Sequence, residues 1–187
     1  MKKITPSKAP KPRRVPALEN GALEAAEPTL RAVRPPRRRV ANLSPSVPLG
    51  PTRFAGAALL GLPLTGLLLS SAVERGIGYD KLQLLSDTLK ATPYEIADTL
   101  RISESTLLRR KKDGKLQADE SDRLVSMGQI VAKSILLFEG DQDAARAWLH
   151  RPARALGGIT PLKYSQTYLG AQEVEDLIER LEEGVFA

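Results

Sequence analysis

The 187-residue sequence contains no cysteine and a single histidine, His150. The absence of cysteine excludes disulfide bonds, thiolate nucleophiles and cysteine-based zinc sites, and one histidine argues against the other common metal sites. We therefore expect neither a metal nor a cofactor. His150 lies just before Arg151-Pro152. Because a histidine in the last turn of a helix complements the helix dipole, we interpret it as a helix end rather than a catalytic group.

Aromatic residues and long apolar runs are also scarce. One Trp, four Tyr and three Phe leave the core mainly to aliphatic side chains. The most apolar stretch, residues 56–69, is interrupted by Pro63 and is shorter than the roughly 20 residues that span a bilayer. The first residues lack the apolar core of a secretory signal. We therefore expect a cytoplasmic protein with no membrane partner, in which residues 56–69 are buried in the core or at a subunit contact.

The net charge of +6 is unevenly distributed along the chain. Residues 1–51 carry 11 Lys and Arg against 3 Asp and Glu, together with ten of the fourteen prolines, and they lack a periodic apolar pattern. Such a segment cannot bury enough apolar surface to offset the entropy of ordering, which predicts a disordered basic extension over residues 1–51. Its run Arg34–Arg39 either contacts DNA phosphates or is an unstructured tail.

Apolar residues in the rest of the chain recur with helical spacing and without strand-like alternation, which predicts an all-α protein. Residues 52–138 form one predicted domain, which ends in a long helix from about Asp119 to Phe138. Residues 139–187 form a second, smaller domain whose last helix is predicted from about Ala171 to Glu183. A unit of about fifty residues is too small to be comfortably stable alone, so we expect it to dock on the helical domain or on a partner.

Side chains that cap or end helices give the predicted boundaries. Asp80 is predicted to cap a helix through Leu89, and Asp141 the helix that contains Trp148. Thr160-Pro161 is predicted to begin a helix to Thr167, and Gly170 to mark a stop.

Two further capped helices follow each other closely. Thr92-Pro93 begins the first, and Ser103 caps the second, which ends at Gly114. They meet across Arg101-Ile102, which is the spacing of a helix-turn-helix, in which the second helix enters the major groove of DNA. Many such turns contain glycine, and a non-glycine residue in the left-handed conformation costs about 1 kcal/mol, so Arg101 predicts a turn of different shape.

The second of these helices carries four consecutive cations. Leu107 and Leu108 are expected to pack inward, which leaves the polar residues free to meet DNA. We predict DNA contacts from Ser103, Ser105, Thr106, Arg109, Arg110, Lys111 and Lys112, with the last two bound to phosphates. The alternative is a solvated helix end, because cations in the last turn also complement the helix dipole.

Several motifs then occur in combination. They are the cationic run from Arg109 and the segments Glu120–Leu124, Phe138–Asp141, Ala147–Leu149, Leu156–Leu162 and Gly184. From about residue 65 to its end the chain resembles the Xre/MbcA/ParS antitoxins, which pair an Xre-like helix-turn-helix bundle with a small helical toxin-binding domain.

The resemblance implies a bacterial type II antitoxin. Its toxin partner would be a RES-domain protein that consumes NAD or transfers ADP-ribose, and the antitoxin would bind operator DNA to repress its own operon. Because Xre-like proteins act in pairs, we expect a homodimer, formed through Leu59–Leu69. The alternative hypothesis is a stand-alone transcriptional regulator with a C-terminal dimerisation domain. No nucleophile with a base, phosphate loop or metal cluster is evident, so we do not expect an enzyme.

The expected toxin contacts lie at the end of the chain. The last helix has one apolar face and one row of carboxylates, and an apolar pair follows Gly184. We expect toxin contacts from Glu179, Glu182, Glu183, Val185 and Phe186. We also expect that removing residues 171–187 abolishes toxin neutralisation and leaves operator binding intact.

Four residues of the smaller domain are predicted to be structural rather than toxin-binding. Trp148 is the expected core anchor, Gly157 and Gly158 form a tight bend, and Pro161 begins a helix.

Overall fold

A computed structural model describes residues 52–184, and every regular element in that range is helical. The predicted all-α fold is therefore confirmed. The predicted extension, residues 1–51, and the apolar pair Val185-Phe186 lie outside the described residues. The helices are α1 (Ala55–Leu59), α2 (Gly66–Arg75), α3 (Tyr79–Leu89), α4 (Pro93–Thr99), α5 (Glu104–Asp113), α6 (Ala118–Leu137), α7 (Gln142–Leu149), α8 (Pro161–Tyr164) and α9 (Tyr168–Glu182), with short 3-10 turns at Thr52–Phe54 and Arg154–Leu156.

Helix α6 lies at the centre of this fold. Helices α1 and α2 pack against it from the N-terminal side of the chain, and α7 and α9 from the C-terminal side. Leu124 and Ile130 of α6 are fully buried, as are Leu149 of α7 and Ile178 of α9. The smaller domain therefore docks on the helical domain through a shared apolar core. The boundary between residues 138 and 139 stays a prediction.

Most of the predicted helix caps form hydrogen bonds. The hydroxyl of Thr92 accepts from the backbone N–H of Glu95, whose carboxylate accepts from the N–H of Thr92 at 2.6 Å. The side chains of Asp141 and Thr160 also accept hydrogen bonds from backbone N–H groups at the starts of α7 and α8, without a reciprocal bond. His150 follows the last residue of α7, as predicted. These ends are set by local side-chain chemistry.

Three predicted boundaries are wrong. Helix α8 ends at Tyr164 and does not reach Thr167, because Thr167 caps the next helix. Helix α3 begins after Gly78, so Asp80 lies in its first turn instead of capping it. Helix α9 begins three residues earlier than predicted, where the hydroxyl of Thr167 accepts from the N–H of Gly170 at 3.0 Å. Gly170 is therefore inside α9 and is no stop. Any side chain at this position would overlap the carbonyl oxygen of Tyr164, so this residue permits a close approach of the backbone.

The apolar stretch 56–69 is divided between core and surface. Leu60 is fully buried, whereas α2 contains no buried residue and exposes 81% of Leu67. Leu64 and Leu68 are exposed as well. The stretch thus contributes one fully buried leucine and two partly buried leucines, Leu59 and Leu62, to the core, and it leaves three leucines exposed.

Candidate functional sites

The helix pair α4–α5 is held on the core by apolar side chains. Ile96 is fully buried, and Ala97 and Leu107 are 1% and 2% exposed. The turn between the helices contains Arg101 with a φ of 55°, and the N–H of Ile102 closes the end of α4 on the carbonyl of Ala97 at 2.8 Å. Arg101 thus adopts the left-handed conformation that such turns often give to glycine, and the predicted difference in turn shape is wrong.

One side of α5 faces away from the core. Leu107 and Arg110 point towards the core. The residues on the opposite side of the helix follow the spacing i, i+3, i+4 and i+7. We call this side the reading face, and it consists of Ser105, Leu108, Arg109 and Lys112, all exposed. Lys111 is exposed beside it.

The expected inward packing of Leu108 is wrong. Its side chain is 52% exposed, because two successive helical residues point about 100° apart and Leu107 already occupies the buried direction.

Ser103 and Thr106 are engaged with each other at the start of α5. The hydroxyl of Ser103 accepts from the N–H of Thr106 at 3.3 Å and contacts the Thr106 hydroxyl at 2.9 Å. Thr106 is half-buried. The geometry gives Ser103 a capping role, which the sequence predicted, and its proposed DNA contact would come in addition to that role.

The expectation that Arg110 is free to meet DNA is wrong. The residue is 7% exposed, and its Nε donates to a carboxylate oxygen of Glu120 at 2.7 Å. Glu120 is itself 5% exposed and also accepts from the backbone N–H of Gln117 at 2.8 Å. Arg110 therefore fixes the end of α5 to the start of α6. The sequence alone does not show that one of four consecutive cations pairs with a carboxylate of another helix.

Helix α9 presents a second outward face. Val174, Leu177 and Ile178 are buried against the core, and the opposite side is open to solvent. The described residues on the open side, which we call the α9 face, are Tyr168, Leu169, Gln172, Glu173, Asp176, Glu179, Arg180 and Glu183, all exposed. Glu182 is exposed next to them.

The N-terminal end of the α9 face is apolar, which sequence reasoning missed. Tyr168 is 75% and Leu169 71% exposed, and the Tyr168 hydroxyl accepts from the amide of Gln172 at 3.0 Å. The C-terminal end is acidic. The Thr167 cap was the sequence signal that could have shown that both residues belong to the first turn of α9.

Glu179 forms an ion pair with Lys133 of α6, although its side chain remains exposed. Lys133 of α6 is buried and donates to Glu175 at 2.7 Å and to Glu179 at 2.9 Å. Burial by itself would lower the pKa of Lys133, but the two carboxylate hydrogen bonds outweigh it and raise the pKa above its ordinary value. The lysine thus stays charged and ties α9 to α6.

Comparison with known proteins gives these sites a context. Residues 68–127 match the family model described as the antitoxin Xre-like helix-turn-helix domain, and residues 135–184 match the one described as the antitoxin Xre/MbcA/ParS C-terminal toxin-binding domain. A protein of Yersinia enterocolitica named Antitoxin Xre is 32% identical over 130 residues, which are 68% of this chain and 88% of the relative. The chain belongs to the Xre antitoxin family.

Two further relatives of the antitoxin have similar names. Antitoxin Xre of Photorhabdus laumondii is 39% identical over 92 residues, which are 47% of this chain and 62% of the relative. A Sphingobium protein named Prs ADP-ribosylating antitoxin is 23% identical over 124 residues, which are 62% of this chain and 78% of the relative. The helix-turn-helix match contains α3 to α5, and the toxin-binding match contains α7 to α9.

The four predicted structural residues of the antitoxin lie on α7, on the segment between α7 and α8, and at the start of α8. Trp148 is partly buried and packs on Phe138 with ring centroids 6.4 Å apart, at the edge of the core rather than at its centre. Gly157 and Gly158 have φ values of 65° and 81°, and the N–H of Gly158 donates to Ala153 at 2.9 Å. Pro161 is the buried first residue of α8. None of the helices in residues 52–184 is long and apolar enough to cross a membrane.

Proposed function

We propose that this antitoxin binds and inhibits a RES-domain toxin in the bacterial cytoplasm and represses its own operon. The proposed inhibition of a toxin rests on the α9 face, which is exposed within the segment that matches a toxin-binding domain. A toxin that consumes NAD or transfers ADP-ribose is supported by the name of the Sphingobium relative, which contains ADP-ribosylation.

The proposed toxin contact extends along α9. Fifteen helical residues span about 22 Å, which is long enough to cross an active-site cleft. Tyr168 and Leu169 supply apolar area at one end, and a buried tyrosine is a common anchor of protein interfaces. Glu182 and Glu183 supply charge at the other end, close to Glu179. The predicted contacts Val185 and Phe186 would extend this surface.

The acidic end of the α9 face has a chemical counterpart in a site that binds NAD. A site that binds NAD has to accommodate a pyrophosphate, and cationic side chains and helix N-termini are the groups that bind it. Carboxylates of Glu182 and Glu183 can occupy such a site in place of phosphate oxygens. Inhibition would then result from direct occlusion of the substrate site.

Deletion of residues 171–187 would disturb the fold as well as the proposed toxin contact. Deleting residues 171–187 removes Val174 and Ile178, which are fully buried against α6. The shared core would lose much of its packing, so operator binding would suffer together with toxin binding. The expected separation of the two functions by truncation therefore does not follow, and surface substitutions are the appropriate test.

The DNA half of the proposal rests on the reading face. Arg109 suits a bidentate contact to guanine, Ser105 suits a base edge, and Lys111 and Lys112 suit phosphates. In a homodimer two such helices would read half-sites about 34 Å apart. The exposed leucines of α2 are the proposed surface of self-association, because their apolar side chains would be favourably buried against a second copy.

Binding of the purified chain to the toxin and to DNA tests the proposed function. We expect it to co-purify with a RES-domain protein encoded beside it, and to shift a DNA fragment from upstream of its gene in a salt-dependent manner. DNA binding without any toxin binding would favour the stand-alone regulator instead. Toxin binding without DNA binding would contradict operon repression.

A further inference from the structure

Leu108 is the one apolar member of the reading face. Its side chain is 52% exposed, although Leu107 beside it is 2% exposed and in the core. The exposure follows from the phase of α5, which is fixed by the burial of Leu107 and Arg110. Leu108 therefore lies among the side chains that the helix-turn-helix would bring to the base pairs.

The chemistry of the major groove offers one counterpart for such a side chain. Base pairs expose hydrogen-bond donors and acceptors there, and their apolar group is the C5 methyl of thymine. A leucine forms no hydrogen bonds, so it gains nothing from the polar edges and would leave them unsatisfied. Contact with a methyl group removes apolar surface of both partners from water.

We propose that Leu108 contacts a thymine methyl in each half-site of the operator and is a specificity-determining residue. This inference rests on the proposed DNA binding. Its neighbours Arg109 and Lys112 would hold the helix in the groove by charge, and Leu108 would then select thymine over uracil or cytosine at one position. The selected position lies beside the base that Arg109 contacts, because the two residues are adjacent on the reading face.

Replacement of thymine by uracil removes only the methyl group, which makes it a direct probe. The upstream fragment is prepared with thymine or with deoxyuridine throughout, and affinities of the full chain are measured by fluorescence anisotropy. We expect the natural chain to bind the thymine fragment about fourfold more tightly per half-site, as expected for burial of one methyl group. Leu108→Ala should bind both fragments equally and as weakly as the natural chain binds the uracil fragment.

A matched apolar residue controls for the effect of the substitution itself. Ile159 is 41% exposed and lies outside the helix-turn-helix match, so Ile159→Ala should retain the full preference for thymine. Equal preference in the natural chain and Leu108→Ala would overturn the inference, and so would a natural chain with no preference at all. If the natural chain does not bind the thymine fragment, the proposed DNA binding fails and the inference fails with it.

Discussion

Arg109 and Arg110 are neighbours in the sequence, and we predict that their substitution by alanine changes different properties. Arg110→Ala should lower the stability of the fold, and Arg109→Ala should lower the affinity for DNA. Arg110→Ala leaves Glu120, which is 5% exposed, without its cation. Breaking a buried ion pair typically costs about 3–5 kcal/mol, and the remaining hydrogen bond from the N–H of Gln117 places this pair near the lower value. A loss of about 3 kcal/mol lowers the Tm of a chain of this size by roughly 10 °C.

Arg109→Ala should leave the Tm nearly unchanged, because exposed substitutions are usually within about 0.5 kcal/mol. Its affinity for the upstream fragment should fall by about 5-fold to 160-fold, as expected for loss of about 1–3 kcal/mol from a base contact. Thermal unfolding by circular dichroism and anisotropy titration on both variants test the contrast. A normal Tm for Arg110→Ala combined with lost DNA affinity would refute the structural role of Arg110 and restore the original prediction.

Three further predictions follow from individual contacts. Gly170→Ala should destabilise the fold by about 1–3 kcal/mol through overlap with the carbonyl of Tyr164, whereas Gly66→Ala, with no neighbour within 4 Å, should not; equal Tm values would contradict this. The pKa of Glu95 is lowered by hydrogen bonds from the N–H and hydroxyl of Thr92, so its stabilisation is present above the ordinary value of 4.5 and is lost as the pH falls below it. The Tm of Glu95→Gln should therefore fall less between pH 6 and pH 3 than that of the natural chain, and parallel curves would argue against the cap. Light scattering should give twice the chain mass for the natural protein and a monomer mass after Leu67→Asp, and a monomeric natural protein would rule out the homodimer.

The sequence was most informative where structure is decided locally. The caps at Thr92, Ser103 and Asp141 are side-chain hydrogen bonds over two or three residues, and they are visible in the sequence as residue types at fixed offsets. The turn at Arg101 is an exception, because the lack of glycine predicted a different shape and the residue nevertheless adopts the left-handed conformation. These features are enough to place the helix-turn-helix.

Sequence reasoning failed where contacts are made between residues of different helices. Arg110 is buried because the start of α6 brings Glu120 to it, and Gly170 is required because α8 passes close to α9. Leu108 was predicted to be in the core because leucine side chains are usually buried. The structure shows instead that α5 turns Leu107 towards the core and Leu108 towards solvent. Tyr168 and Leu169 were missed for the same reason, since an exposed apolar residue looks like a core residue in a sequence.

Growth rescue tests the central claim most directly, namely that the α9 face neutralises a toxin while the reading face binds DNA. The toxin encoded beside the antitoxin gene is expressed together with the natural chain, with Tyr168→Ala/Leu169→Ala, or with Arg109→Ala, each at matched soluble levels. The account predicts rescue by the natural chain and by Arg109→Ala, and strongly reduced rescue by the double variant. Full rescue by the double variant would contradict the assignment of toxin binding to the apolar end of the α9 face, and no rescue by the natural chain would contradict the antitoxin activity proposed for this partner.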